Sequence, residues 1–108
     1  MSLDFDLIAK DEDGNEIQVL SLNYTHNVTD MWIKADVYNS LYMSNGLHGR
    51  DVINKIEVGL KHMNEHQAEY ELLNPSNGWG DYNGAWVFLK EILDGCKQYP
   101  SARIEISK

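Results

Sequence analysis

The fold is decided by residues 3–22, LDFDLIAKDEDGNEIQVLSL. Apolar and polar residues alternate in residues 3–9 and again in residues 16–22, which is the pattern of two half-buried strands. Between them lies Asp13-Gly14, a dipeptide that accepts the positive φ angles of a tight hairpin turn. This stretch therefore predicts a β-hairpin at the start of the chain.

Three apolar stripes with helical spacing follow the hairpin. In each stripe apolar residues repeat every three or four positions, as they do on the buried face of an amphipathic helix. Asp51 can cap the second helix, which should end by Asn74 because Pro75 disfavours helical geometry in the residue before it. The stripes consist of Met31, Ala35, Tyr38 and Tyr42; of Val52, Ile56, Leu60, Met63 and Tyr70; and of Ala85, Phe88, Leu89, Ile92, Cys96 and Tyr99.

A last alternating segment, residues 102–106, predicts a C-terminal strand. The predicted element order is therefore ββαααβ, and residues 1–108 are expected to form a single domain. We expect an α+β fold in which the C-terminal strand joins the hairpin in a small three-stranded antiparallel sheet, packed against three helices. Such a sheet has two edges, which leaves pairing with a second copy of the chain, a homodimer, open.

The composition is acidic. Nine Lys and Arg against 17 Asp and Glu give a net charge of −8 over 108 residues. This charge repels phosphate backbones and no basic stripe interrupts it, so direct nucleic-acid binding is not expected. An acidic surface keeps a protein soluble, or it imitates nucleic acid toward a basic protein partner.

The single cysteine, Cys96, cannot form an intramolecular disulfide and falls on an apolar stripe, so we interpret it as a core residue. Residues 1–10 contain no apolar run long enough for a signal peptide. No segment approaches the length of a membrane span either. These features predict a cytoplasmic protein without a membrane partner.

One motif matches a metal site. His62 and His66 share a helical face, and the spacing H-x-x-E-H is the zinc motif of inverzincins. A small metal-dependent hydrolase using His62, Glu65 and His66 is therefore the alternative function. Against it, the apolar stripe turns both histidines to the margin of the helix, and such proteases are far longer chains, so a solvated histidine pair is expected. A third zinc ligand would have to come from Glu69, His26 or His48.

Other catalytic constellations are missing from the sequence. It contains no G-x-S-x-G elbow, no P-loop and no dinucleotide fingerprint. The sequence therefore favours a non-enzymatic protein without a cofactor.

Two polar-aromatic segments remain, residues 23–27 and residues 77–82. The first follows the second strand directly, and the second combines glycines with an indole that offers a flat face and one N–H donor. We expect the two segments to meet at one end of the sheet and to bind a protein partner or a small ligand. The candidate binding residues are Tyr24, His26, Asn27, Asn77, Trp79, Asp81 and Tyr82.

The role of Trp79 has two interpretations at this point. Either its ring anchors a partner, or it folds back as a lid over the core while Asn and Gly residues cap a helix that begins at Gly84. We also expect a polar cluster beside the aromatic wall, made of His26, Asn27, Asp81 and Tyr82. His26 in it would be a hydrogen-bonded structural residue or a group that titrates near neutral pH.

The chain carries two specific motifs, NYTHN at residues 23–27 and NGWGxYxG at residues 77–84. With the central helix between them and the late cysteine, they resemble a family of small uncharacterised proteins from bacteriophage and prophage genomes. The resemblance extends from the first strand to Pro100. It implies a phage or prophage setting in the bacterial cytoplasm and assigns no catalytic residue, since the family has no assigned activity.

Overall fold

The computed structural model describes residues 2–108. Three strands and five α-helices follow one another along them, together with two short 3-10 turns at His26–Val28 and Gly49–Asp51. The strands are β1 (Ser2–Lys10), β2 (Glu16–Thr25) and β3 (Arg103–Ser107). The helices are α1 (Thr29–Lys34), α2 (Tyr38–Tyr42), α3 (Ile53–Glu65), α4 (Gln67–Glu71) and α5 (Tyr82–Gln98).

The predicted sheet is confirmed. It is antiparallel with the order β2-β1-β3, so β1 is the central strand. Phe5 pairs with Leu22 on one side and with Ile106 on the other, and Leu3, Phe5 and Leu7 face the helices and are buried. Alternation along β1 therefore turns Asp4 and Asp6 to the open face of the sheet.

The hairpin is confirmed, with a longer turn than a two-residue loop. Residues 11–15 connect the strands, and a carboxylate oxygen of Asp11 accepts hydrogen bonds from the backbone N–H groups of Asp13 and Asn15. Gly14 takes the positive φ expected of it, at 83°.

The prediction of three helices is wrong at two places, where a continuous stripe is divided. The first stripe is broken at Asp36, whose φ of 58° is incompatible with a helix, so that α1 and α2 are separate. The second is broken at His66, with φ −127° and ψ 32°. The Asp51 carboxylate accepts a hydrogen bond from the His48 N–H, in a 3-10 turn that precedes α3.

The core lies between the inner face of the sheet and the helices. Helix α5 packs along β2. Phe88 stacks on Tyr24 with ring centroids 5.5 Å apart, and Gly95 lies against the side chain of Leu20. Cys96 is buried, as predicted, and burial raises the pKa of its thiol to about 12. None of the helices within residues 2–108 combines the length and the apolar character needed to cross a membrane.

Candidate functional site

The two polar-aromatic segments meet in the structure. The hydroxyl oxygen of Tyr24 accepts a hydrogen bond from the backbone N–H of Asp81 at 3.1 Å and donates one to the Asp81 carbonyl at 3.2 Å. One side chain at the end of β2 thereby binds both backbone groups of a residue 57 positions further along the chain. The loop before α5 is thus attached to the end of the sheet.

Two glycines let the loop approach this closely. A Cβ atom on Gly84 would lie 2.2 Å from the Tyr24 hydroxyl oxygen, well inside van der Waals contact. Gly80 has a φ of 95°, and a Cβ atom there would lie 2.6 Å from the methyl carbon of Thr25. A larger residue at either position would push the loop off the strand, so the glycine pattern of the second motif has a steric cause.

Side-chain hydrogen bonds fix the path of the loop. Asn77 accepts from the N–H of Trp79 at 2.9 Å through its side-chain oxygen, and Asn74 accepts from the N–H of Tyr82 at 2.8 Å. The carboxylate of Asp81 accepts from the N–H of Gly84 at 2.7 Å and so caps α5. The helix therefore begins at Tyr82, two residues before the start predicted at Gly84.

The indole of Trp79 stands out from this fixed loop. The residue is 69% exposed, so the interpretation of its ring as a lid over the core is wrong. The core uses a different tryptophan, Trp32, which is 1% exposed. The Trp79 ring is instead free to contact another molecule.

A groove of about 720 Å³ lies between the end of β2 and this loop, and we call it the Trp79 groove. Four of the predicted binding residues line it: Tyr24, Asn27, Asn77 and Trp79. Its lining combines an indole face with amide and hydroxyl groups. The remaining lining residues are Ser2, Asn23, Thr25 and Gly80.

The predicted cluster of His26, Asn27, Asp81 and Tyr82 is not formed. The 3-10 turn after β2 carries His26 toward α2, where its Nδ1 lies 2.8 Å from the Tyr42 hydroxyl oxygen. Tyr82 is the first residue of α5, and its side chain turns into the core. The residue is 5% exposed, and its hydroxyl donates a hydrogen bond to the Met63 carbonyl at 2.9 Å. His26 and Tyr82 are therefore structural residues, and Asp81 acts as a helix cap.

Sequence reasoning passed over Asn23 and Thr25, although both lie in the first segment. Alternation along β2 could have identified them. Both residues are next to Tyr24 in the strand, so they lie on the face of the sheet opposite to the Tyr24 side chain. The amide of Asn23 also donates hydrogen bonds to Asp4 and to the Ser2 hydroxyl. It thereby ties the rim of the groove to β1.

The Trp79 groove is suited to recognition. Desolvation by burial is the main cause that raises the pKa of Tyr24, so its phenol stays protonated and keeps its hydrogen bonds to Asp81. Within residues 2–108, eight residues line the groove, and none of them carries a carboxylate, an imidazole or a thiol. What the lining can do is stack on a ligand through the indole and exchange hydrogen bonds through amides.

The histidine motif has other contacts. His62 Nδ1 lies 2.6 Å from the hydroxyl oxygen of Tyr70, and His66 Nδ1 lies 2.7 Å from a carboxylate oxygen of Glu69. The two imidazole rings stack, with centroids 4.3 Å apart. In the part of the chain that the structure describes, residues 2–108, no group of three or more His, Cys, Asp or Glu side chains could hold a metal ion.

The residues proposed as third ligands of such a site have other partners. Glu69 forms an ion pair with Lys34 at 3.1 Å in addition to its contact with His66. His48 Nδ1 lies 3.8 Å from the carboxylate of Asp51, on another element. His62 of α3 is thus bound to Tyr70 of α4, and Glu69 of α4 is bound to Lys34 of α1.

Comparison with protein-family models, curated proteins and solved structures finds no match to this chain. The interpretation of function therefore depends on the geometry of the Trp79 groove.

Proposed function

We propose that this chain is a non-enzymatic binding protein that holds a partner protein or a small ligand in the Trp79 groove. The observation that carries the proposal is the indole of Trp79, 69% exposed on a loop that side-chain hydrogen bonds hold in place. Exposed aromatic rings on fixed loops dominate the binding energy of many interfaces, since they bury a large area at a small cost in conformational entropy.

The residues of the two motifs support this proposal. Tyr24, Gly80 and Gly84 belong to NYTHN and NGWGxYxG. Tyr24 and Gly80 line the groove, and Gly84 allows the close approach to Tyr24. The same motifs carry the resemblance to phage and prophage proteins. We therefore extend the proposal to an accessory factor that acts in the bacterial cytoplasm on a host protein or a small ligand.

The proposal predicts that Trp79→Ala removes binding and leaves the fold intact. Because most of the ring is in solvent, its loss should change the thermal midpoint by no more than a few degrees. The test uses nitrogen-15 NMR spectra of the wild type, recorded with a library of small aromatic compounds and short peptides. Ligands should shift the signals of Asn27, Asn77 and the Trp79 indole, and the same ligands should not bind Trp79→Ala.

Leu72→Ala is the matched control, since Leu72 is an exposed apolar residue outside the groove, at 86% exposure. This variant should bind as the wild type does. Unfolding of Trp79→Ala would show that the loop is part of the core, against the proposal. Ligands that shift only the signals around the 570 Å³ cavity next to Tyr99 and Arg103 would also overturn it.

A further inference from the structure

Strand β2 is a free edge of the sheet. The order β2-β1-β3 places it outermost, and within residues 2–108 its backbone pairs only with β1. The other edge strand, β3, is covered by the loop that follows α2: the N–H of Gly46 donates to the Ile104 carbonyl at 2.8 Å, and the N–H of Ile104 donates to the Leu47 carbonyl at 2.7 Å. A further strand can therefore add at β2 and not at β3.

The free edge is long and regular. Leu20 to Thr25 pair residue by residue with Leu7 back to Ser2, and the bulge that interrupts the register lies before this run, at Val19. Natural edge strands are usually protected by Lys, Pro, a bulge or a covering loop. The run from Leu20 to Thr25 contains no charged residue and no proline. Every second residue along such an edge points its N–H and C=O groups outward, ready to pair.

The edge leads into the Trp79 groove. Asn23, Tyr24 and Thr25 form the last part of β2 and also line the groove, with Trp79 beyond them. A segment that pairs with the edge therefore runs into the groove. A side chain near the end of that segment would meet the indole.

Acidic side chains lie on both sides of this edge. On the open face, Asp4 and Asp6 are in register with Asn23 and Ser21 of β2. An added strand would lie about 10 Å from β1, two strand spacings, which is within reach of an Arg or Lys side chain. The face of an indole also attracts a guanidinium or ammonium group.

On the helix side, α5 carries the acidic residue Glu91. It lies three residues after Phe88 and four before Gly95, hence on the same face of α5 as these two residues, which pack against β2. Glu91 is exposed, so its carboxylate is in contact with solvent.

We propose that β2 takes up an extended basic peptide segment of a partner protein as a fourth strand, with an Arg or Lys side chain against the Trp79 indole. This rests on the proposed function of the groove and names the partner class. Strand addition supplies backbone hydrogen bonds, and the carboxylates select for cationic side chains. A second copy of the chain fits less well, because two copies of charge −8 repel each other.

The test uses three synthetic peptides of the length of the edge. The first alternates Arg or Lys with Val or Thr, the second has the same charge with Pro at alternate positions, and the third replaces every basic residue by Glu. Titration calorimetry should detect binding of the first peptide only, weakened by added salt. Amide hydrogen exchange should show new protection at alternate residues from Leu20 to Thr25. Equal affinity of the proline peptide, or no new protection, would overturn the proposal.

Variants of the protein test the edge without touching the groove. Ser21→Lys places a cation on the open face of β2, and Ser107→Lys places the same cation on the same face of β3. We expect Ser21→Lys to lower the affinity for the basic peptide about tenfold and Ser107→Lys to leave that affinity nearly unchanged. In the same way Glu91→Gln should weaken binding, and Glu71→Gln, an exposed site on α4, should not.

Trp79→Ala separates this proposal from the proposed function. Both proposals stand if Trp79→Ala and Ser21→Lys each lower the affinity for the basic peptide. If only Trp79→Ala does, strand addition fails and the groove remains a binding site. If only Ser21→Lys does, the groove has no part in binding and the proposed function fails. Dimers that form without peptide and protect the same amides would show that the second copy, and not a basic segment, occupies β2.

Discussion

At Gly84 the absence of a side chain decides how closely the loop before α5 approaches Tyr24. A Cβ atom there would lie 2.2 Å from the hydroxyl oxygen and 2.9 Å from the ring carbon Cζ of Tyr24. Tyr24 cannot move away easily, because its ring stacks on Phe88 and its hydroxyl is bound to Asp81. The residue that lacks a side chain therefore determines where the binding residues stand.

Gly84→Ala is predicted to destabilise the protein although alanine is the better helix former. The steric conflict should cost about 1–3 kcal/mol and outweigh the gain of about 1 kcal/mol in helix propensity. Urea unfolding measures the difference. Asn83→Ala, at the exposed neighbouring position of α5, is the control and should not lower stability. A Gly84→Ala protein more stable than the wild type would show that Tyr24 moves and that propensity prevails.

At the scale of elements, the break between α3 and α4 buries a tyrosine. Tyr70 of α4 is 0% exposed, its ring lies 6.0 Å from that of Tyr82, and its hydroxyl oxygen is 2.6 Å from His62 Nδ1. Burial is the main cause that raises the pKa of Tyr70 to about 12. The interface of α4 with α3 and α5 is thus built around a phenol that must stay protonated.

This interface predicts alkaline sensitivity. The pKa of a tyrosine in the unfolded chain is about 10, so the stabilising contribution of protonated Tyr70 is complete below pH 10 and is lost as the pH rises toward 12. The free energy of unfolding, measured in urea from about pH 8 to about pH 12, should fall. Tyr70→Phe should be less stable at neutral pH, and its free energy of unfolding should fall less steeply as the pH rises. The same slope in both proteins would contradict the assignment.

At the scale of the whole molecule, the hairpin of β1 and β2 and the distant strand β3 form one sheet. β3 pairs with β1, and Ile104 at its centre is 0% exposed between the sheet and the helices. The N–H and C=O groups of Ile104 also bind Leu47 and Gly46 in the loop that follows α2. The C-terminal strand therefore closes the core that the hairpin begins.

Ile104→Ala is predicted to cost about 2–5 kcal/mol, the range for removing a buried branched side chain. A loss of this size is a large part of the stability of a small domain. The midpoints of thermal and urea unfolding should both fall. Each curve should keep a single transition, because β1 and β3 belong to the same sheet. Val87→Ala, at a residue that is 48% exposed, should change stability by less than about 1 kcal/mol. Equal losses in the two variants would show that β3 is not part of the core.

The strands were predictable because their period of two is a local property. The helix breaks were not: the apolar stripe through Met31, Ala35 and Tyr38 continues across Asp36, and only the left-handed backbone of Asp36 reveals the division. The candidate site residues likewise include some whose place was predictable and some whose place was not. Tyr24, Asn27, Asn77 and Trp79 line the groove, whereas His26 and Tyr82 turn toward α2 and the core.

The sequence by itself determined the hairpin, the C-terminal strand, the acidic charge and the two polar-aromatic segments, since these follow from periodicity and composition. Only the tertiary structure decided that Trp79 faces solvent and that β2 keeps a free edge. The physical reason is that both depend on contacts between distant residues. The Tyr24 hydroxyl fixes the loop before α5 at Asp81. Gly46 and Leu47, in the loop that follows α2, cover β3, whereas β2 stays open.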